Sequence, residues 1–573
     1  MTAIPSLRPN GGTKERLSRA WRVDLVPAII LVLVAAIVVP VCVLLFGALT
    51  TTPIGAPVSG FTLRNFVTVV TAQAYLVAFS NTVLVGFGAT LLASLIGILL
   101  AWIVVRTDVP ASGALRVGIM VPFFLSPFVG ALAWTLLLQR DVGPVNLLLQ
   151  AIGLDQISPY GVGMIIWVMG IYYAPYMFIF VSSALHNIDP TLEEAGHMSG
   201  LSRRQVIQKV TVPLVGPAAL SGALLTFIAC AGQFGVPALL GTQDRFYVLA
   251  TYIYQLINRH PAEYNIAAAL GFAMLLLAWL GVWLQNRIMR GRSYATLSGK
   301  GFRPRIIALG PYRWLALLFG LIFICLGALL PLAMLAWVSL VPYYDATFSL
   351  SAISGYNYST LFSSSYAWRG VSNTLFLATL GATIAVALAV LANWIMLRSE
   401  TSFRKALSYL LFLPAAVPHI VLSMALLWTY VFIPLPIYGT IWILLIAYVT
   451  GYITQAVRNV GSNYVQIDKA LEEAATMVGA RRMRTWKEVT LPLLKPGMVG
   501  AWTLLFIIFT RELSASILLY SPGNEVLPVL LFNMWGEGDW GGLSALSMIQ
   551  VVMMGFVILL SGLLFRVDVS KSQ

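Results

Sequence analysis

The chain has 573 residues, 59% of them apolar and 10% charged, against about 25% charged in an ordinary soluble domain. With 16 Trp, 23 Tyr and 28 Phe, it carries more apolar surface than a water-facing fold can bury, so a soluble globule is excluded. The net charge of +14 would suit a nucleic-acid surface if it were clustered, but its distribution follows membrane topology and nucleic acid is not an expected partner.

In chain order, residues 1–24 form a basic tail carrying Arg8, Lys14, Arg16, Arg19 and Arg22. The apolar run that follows is about 25 residues long, beyond the roughly 7 to 15 of a cleavable signal core, and reads as a retained anchor. A spanning helix needs about 20 apolar residues. Six segments qualify in a first half, 25–288: 25–49, 79–105, 115–138, 161–184, 215–240 and 266–288. A basic connector, 289–313, leads to a second half, 314–566, with segments 314–341, 371–397, 407–433, 437–457, 496–520 and 541–565. A short tail, 567–573, closes the chain. The expected fold is an all-α polytopic membrane protein of about twelve transmembrane helices. Basic residues flanking spans stay on the cytoplasmic side. With both termini cytoplasmic, every Lys and Arg lies inside except Arg64, Arg140, Arg245, Arg259 and Arg369 in outer loops and Arg511 within a span.

Six spans followed by six suggest a duplication, and the loops after spans four and ten match. Residues 189–217 read DPTLEEAGHMSGLSRRQVIQKVTVPLVGP and residues 468–496 read DKALEEAATMVGARRMRTWKEVTLPLLKP, with 13 of 29 positions identical at an offset of 279. Unrelated stretches would share about two. Upstream, Asn81-Thr82 matches Asn373-Thr374, Arg106 matches Arg398 and Pro122 matches Pro414, at an offset of 292. The first half therefore carries 13 extra residues, placed around Gln139 to Tyr160. An even number of spans between equivalent points makes the two six-helix units parallel pseudo-repeats.

Each repeated loop begins with an aspartate suited to N-capping, Asp189 or Asp468, and Pro190 takes the favoured first position of the first copy. Glu193 and Glu194, like Glu472 and Glu473, fall in or near the first turn, where carboxylates complement the helix dipole. Leu192, Ala195 and Ser199, and Leu471, Ala474, Ala475 and Val478, form a narrow stripe of small or apolar residues. Gly200 and Gly479 stand where a helix stops, and basic segments run on to Pro213 and Pro492. The product is a bent pair of short helices, presented twice.

This pattern resembles the permeases of ATP-binding cassette importers, which carry Glu-Ala-Ala, three residues, Gly, nine residues, Ile, one residue, Leu-Pro. The second copy supplies Glu473, Ala474, Ala475, Gly479, Val489, Leu491 and Pro492 at those spacings. The first supplies Glu194, Ala195, Gly200, Val210 and Pro213, with Gly196 in place of alanine and Val212 in place of leucine. The glycine is expected to loosen its helix by about 1 kcal/mol relative to alanine. The resemblance covers nearly the whole chain and is nearest to fused, double-length permeases of the ferric iron type. Phe234-Gly235-Val236-Pro237 and Arg511-Glu512-Leu513-Ser514-Ala515 look like that branch. Permeases for thiamine, polyamines, sulfate and phosphonates share the architecture.

The resemblance implies a transport subunit of a bacterial inner membrane rather than an enzyme. It implies two ATPase partners that receive the repeated loops, a periplasmic solute-binding protein, and the lipid bilayer. The chain has no Gly-x-x-x-x-Gly-Lys-Ser/Thr sequence, so ATP and magnesium are expected on the partner subunits, with no cofactor or metal held here. A substrate pathway is expected at the ionisable groups within spans, Arg511 and Glu512, whose counterparts by the 279 offset are Gly232 and Gln233. Read as neighbours on one helix, Arg511 and Glu512 point apart and each needs another partner. The opposing expectation is that Arg511 reaches the outer interface or braces a neighbouring helix. Outer-loop residues Trp535, Glu537, Asp539 and Trp540 are placed as interfacial anchors or as contacts for the binding protein. A secondary transporter would need no duplicated docking helix. A membrane enzyme would need a nucleophile, base or metal cluster, which Cys42, Cys230, Cys325, His186, His197, His260 and His419 do not offer by spacing.

Overall fold

The computed structural model describes residues 27, 29–52, 54–57, 60–289, 306–345, 348–398, 403–433 and 435–565, and every regular element among them is helical. The basic tail 1–24, most of the connector and the tail 567–573 lie outside the described residues. Ten helices are long and apolar enough to cross a membrane, and two bent helix pairs raise the number to twelve. The chain is thus the all-α polytopic membrane protein that its hydropathy predicts.

The duplication is visible element by element. Helices Gln73–Arg106 and Ser365–Arg398 each run 34 residues, and Val212–Ala231 and Leu491–Thr510 each run 20. Helices Val162–His186 and Ile441–Tyr464 begin at equivalent positions. The extra residues of the first half include a short helix, Pro144–Ala151, in the loop where the offset change places them. Four π turns, Val34–Val38, Ile207–Thr211, Cys325–Leu329 and Trp486–Thr490, each stand two residues before a proline: Pro40, Pro213, Pro331 and Pro492. Proline has no N–H for the i→i−4 ladder and its ring crowds the carbonyl four residues back, which widens the preceding turn.

Four spans differ from the continuous helices read from hydropathy. In place of 115–138 are Ser112–Phe124 and Pro127–Leu137, bent by 93°, and in place of 407–433 are Arg404–Ala416 and His419–Phe432, bent by 110°. The residues before Pro127 and Pro418 are extended, with ψ of 129° at Ser126 and 113° at Val417, because the proline ring disfavours helical geometry one residue upstream. The spans 215–240 and 496–520 also stop short. Their helices end at Ala231 and Thr510, and short helices Gly235–Gly241 and Ser516–Leu519 follow a break.

Close approach at small residues packs each half, as membrane helices require where no water is expelled. A Cβ at Gly97 would lie 2.5 Å from the Met177 Cβ and 2.6 Å from the Ala174 carbonyl oxygen. Its counterpart Ala389 is fully buried in the second half. Gly97→Leu is therefore expected to cost about 3 kcal/mol through overpacking. Gly113→Ala, with nothing within 4 Å of the added carbon, should be neutral or gain up to about 1 kcal/mol. Thermal unfolding in detergent ranks the two, and equal stabilities would contradict the close approach.

Candidate functional site

Two places make up the site: a pair of short loop helices related by the repeat, and a cavity between the halves. The loop helices are Pro190–Met198 and Lys469–Met477. Asp189 Oδ1 accepts from the Thr191 N–H at 2.9 Å and Asp468 Oδ1 from the Ala470 N–H at 3.0 Å, so both predicted caps are made. Gly200 and Gly479 end the helices at φ of +82° and +84°. A Cβ at either would touch nothing within 4 Å, so the left-handed backbone and not lack of space selects glycine. Gly196 has a second role beyond loosening its helix. A Cβ there would approach Val206 Cγ2 to 3.2 Å, so the missing methyl lets the following segment close over the buried helix face.

Glu193 and Glu472 do more than complement a dipole. Glu193 pairs with Arg106 and accepts from the Thr211 hydroxyl at 2.8 Å. Glu472 accepts from Arg398 Nε at 3.1 Å and from the Thr490 hydroxyl at 3.0 Å. Each carboxylate thereby fastens its loop helix to the end of a 34-residue membrane helix and to the π turn that leads into the next one. Arg398 also donates to the Ile467 carbonyl at 2.7 Å. The sequence comparison aligns Arg106 with Arg398 and Glu193 with Glu472 but does not join them. Their shared recurrence, together with Thr211 and Thr490, was the signal available.

Glu194, Ala195 and Gly200, and Glu473, Ala474 and Gly479, are exposed, while Ala475 is half-buried. Neither Glu194 nor Glu473 has a side-chain partner among the described residues. Met198 and Met477 project beside them, 89% and 88% exposed. Pro213 and Pro492 lie behind this surface in the first turns of the next membrane helices. The described end of the connector docks on the end of the first half's 34-residue helix: Ile307 N–H donates to the Arg106 carbonyl at 2.8 Å, and Leu309 N–H to Asp108 Oδ1 at 2.8 Å.

A cavity of about 530 Å³ lies between the halves, and Gln233, Arg511 and Glu512 all line it. Arg511 and Glu512 are not on a continuing helix, as the sequence reading has them, because the helix ends at Thr510. They still bond apart. Arg511 Nη1 donates to the Phe123 and Leu125 carbonyls at 2.5 and 2.8 Å, capping carbonyls left free where the first half's helix breaks. Glu512 accepts from the Ala515 N–H at 2.9 Å and from the Tyr452 hydroxyl. On the other side, Gly232 approaches Pro418, whose Cβ would lie 3.4 Å from an added Cβ. Each half's interrupted helix thus packs on the other half's bent one. Arg511 both braces a neighbour and lines the cavity. Asp539 Oδ1 accepts from the Gly542 N–H at 2.9 Å and caps the last helix, Trp540–Phe565.

Residues 93–294 and 385–567 each match the family described as binding-protein-dependent transport system inner membrane component. The chain is 28% identical over 461 residues to the ferric transport system permease protein FbpB of Actinobacillus pleuropneumoniae, covering 79% of this chain and 66% of that one. It is 29% identical over 412 residues to the putative ferric transport system permease protein FbpB 1 of Haemophilus influenzae, covering 71% and 64%. The chain therefore spans just under two thirds of the length of these two relatives. A shorter match, 29% over 185 residues, 32% of this chain and 70% of the other, is to the putative 2-aminoethylphosphonate transport system permease protein PhnV of Salmonella paratyphi A.

The two Arg–Glu–Thr clusters differ in burial. The Arg106 and Glu193 side chains are 2% and 8% exposed, against 11% and 21% for Arg398 and Glu472. Removing one partner of a buried pair strands the other charge, so Arg106→Ala is expected to cost about 3–5 kcal/mol. Arg398→Ala should cost less, since water reaches Glu472. Thermal unfolding of the two variants checks the order, and equal losses would contradict it.

Proposed function

Because the chain belongs to the binding-protein-dependent transport system inner membrane component family, we propose that it is the membrane-spanning subunit of an ATP-driven importer. In this reading both halves of the permease, 25–288 and 314–566, reside in one multi-pass inner-membrane chain with cytoplasmic termini. Two ATPase subunits dock on the loops 189–217 and 468–496, one on each, and hold the ATP and magnesium. A periplasmic binding protein delivers solute from the other side.

The observation that carries this reading is the duplicated loop surface. Two helices present a glutamate with no side-chain partner among the described residues and an exposed methionine at equivalent positions, Glu194 with Met198 and Glu473 with Met477. An exposed apolar tip beside a free carboxylate suits a cleft in a partner. Behind each tip, the Arg–Glu–Thr cluster carries displacement into the helices that line the cavity. When the ATPases close, the tips draw together, the halves rock, and the cavity exchanges sides. Gln233, Arg511 and Glu512 then face the passing solute. The proposed cargo is ferric iron, supported by the names of the two long relatives. The phosphonate relative supports a second reading with the same mechanism.

Glu473→Lys combined with Gly479→Arg places bulk and positive charge on the docking tip without touching the cavity. Uptake by the reconstituted complex should fall at least about ten-fold, the effect of roughly 1.4 kcal/mol at an interface, while the permease remains folded. Unchanged uptake would sink the docking assignment. Cargo is tested separately: ATP hydrolysis in proteoliposomes should rise with ferric-loaded binding protein and not with the empty protein. Equal rates would remove iron and leave the importer reading intact.

A further inference from the structure

The cavity has two unlike walls at equivalent positions. On the second half's helix Ile441–Tyr464, Gln455, Arg458, Asn459 and Ser462 line it, and on the first half's Val162–His186 the counterparts of the first three are Tyr176, Ile179 and Phe180. Spacings of three and four residues set the polar groups in one stripe. Three charged side chains line the cavity: Arg458, Arg511 and Glu512. Arg511 is held by two carbonyls of the first half, and Glu512 by Tyr452 and the Ala515 N–H. Arg458 is different. It is exposed, it has no hydrogen-bond or ion-pair partner among the described residues, and its guanidinium rests over the Phe412 ring at 5.4 Å. One turn of the same stripe holds a second idle donor, Asn459 Nδ2, buried and without a partner among the described residues.

These groups are donors, and they complement an acceptor. A bare ferric ion seeks several hard anionic oxygens. Here it would meet two guanidinium groups, one carboxylate already engaged, the His419 imidazole and the protonated hydroxyls of Tyr172, Tyr173, Tyr176 and Tyr452, the last of which is given to Glu512, and no free anionic oxygen among the described residues. A guanidinium beside amide donors matches the paired oxygens of a carboxylate or phosphonate. We propose that Arg458, with Gln455, Asn459 and Ser462, forms a binding site for an oxyanion group of the transported solute. Iron carried through this cavity then crosses as an anionic chelate and not as the bare ion. The word "transported" rests on the importer reading; the anion preference of the wall stands without it.

The test uses the full chain with Cys42, Cys230 and Cys325 replaced by alanine and Ser462→Cys as the one reactive thiol. Modification rates are compared for an anionic and a cationic thiosulfonate reagent of similar size. The anionic reagent should react faster, and Arg458→Gln should lower the anionic-to-cationic rate ratio about ten-fold, the effect of one unit charge about 6 Å away. Arg458→Lys should keep the ratio. Ferric citrate and 2-aminoethylphosphonate are then added as probes. Protection of the thiol by ferric citrate identifies a carboxylate chelate, and protection by 2-aminoethylphosphonate identifies a phosphonate; either must vanish in Arg458→Gln. A second measurement keeps the natural cysteines: the same probe should raise the unfolding temperature of the unaltered chain and not of Arg458→Gln. Protection by neither probe, or a rate ratio unmoved by Arg458→Gln, would overturn the site. Failure to retain an ATPase on purification would overturn the importer reading instead.

Discussion

A carboxylate shared between an arginine and a threonine sits at the foot of each half, and the mechanical reading of the molecule depends on it. Glu193 joins Arg106 to Thr211, and Glu472 joins Arg398 to Thr490. Charges this close to apolar surroundings are held only where both signs and their hydrogen bonds are present together. The loop helix is therefore tied to two membrane helices at once. One is the 34-residue helix ending at the arginine, and the other begins beyond the π turn and runs to the cavity.

The cavity end of that second helix meets the opposite half. Arg511 satisfies carbonyls exposed by the bend at Ser126-Pro127, while Gly232 lies beside Pro418. The halves are thus joined through their interruptions and not along continuous helices. Backbone that leaves the helical ladder at membrane depth needs protein or water around it, which is why breaks and cavity occur together. Repeating the scaffold while varying the side chains gives one wall aromatic and apolar and the other polar, as Phe180 against Asn459 and Ile179 against Arg458 show.

Much of this is legible in the sequence because it is local or repeated. Helix number, the caps at Asp189 and Asp468, the stops at Gly200 and Gly479, and the added segment of the first half all follow from hydropathy, capping rules and the change of offset. The breaks at Ser126 and Val417 escape a hydropathy window, since apolar residues continue across a bend, although Pro127 and Pro418 mark both places in the sequence as sites where a membrane helix kinks. Arg511 shows the same limit: its position within an apolar run reads as mid-helix, whereas the helix has ended one residue earlier. The Arg106–Glu193 pair escapes for another reason. Its partners are separated by 87 residues, and two different offsets align them with their counterparts. Of the cavity residues, Gln233, Arg511 and Glu512 stand out in sequence, but Arg458 resembles an ordinary basic residue at a helix end until the facing wall is known.

Rigid attachment of the loop helices to the cavity walls is tested most directly by electron–electron distance measurements on two doubly labelled forms of the complex. One carries labels at Met198 and Met477 on the loop tips, and the other at Leu225 and Leu504, which line the cavity on the helices that follow the two π turns. If the Arg–Glu–Thr clusters transmit movement, both distance distributions shift together when ATP is bound. A shift at the tips with an unchanged distance between the wall helices would contradict the coupling of docking surface to cavity.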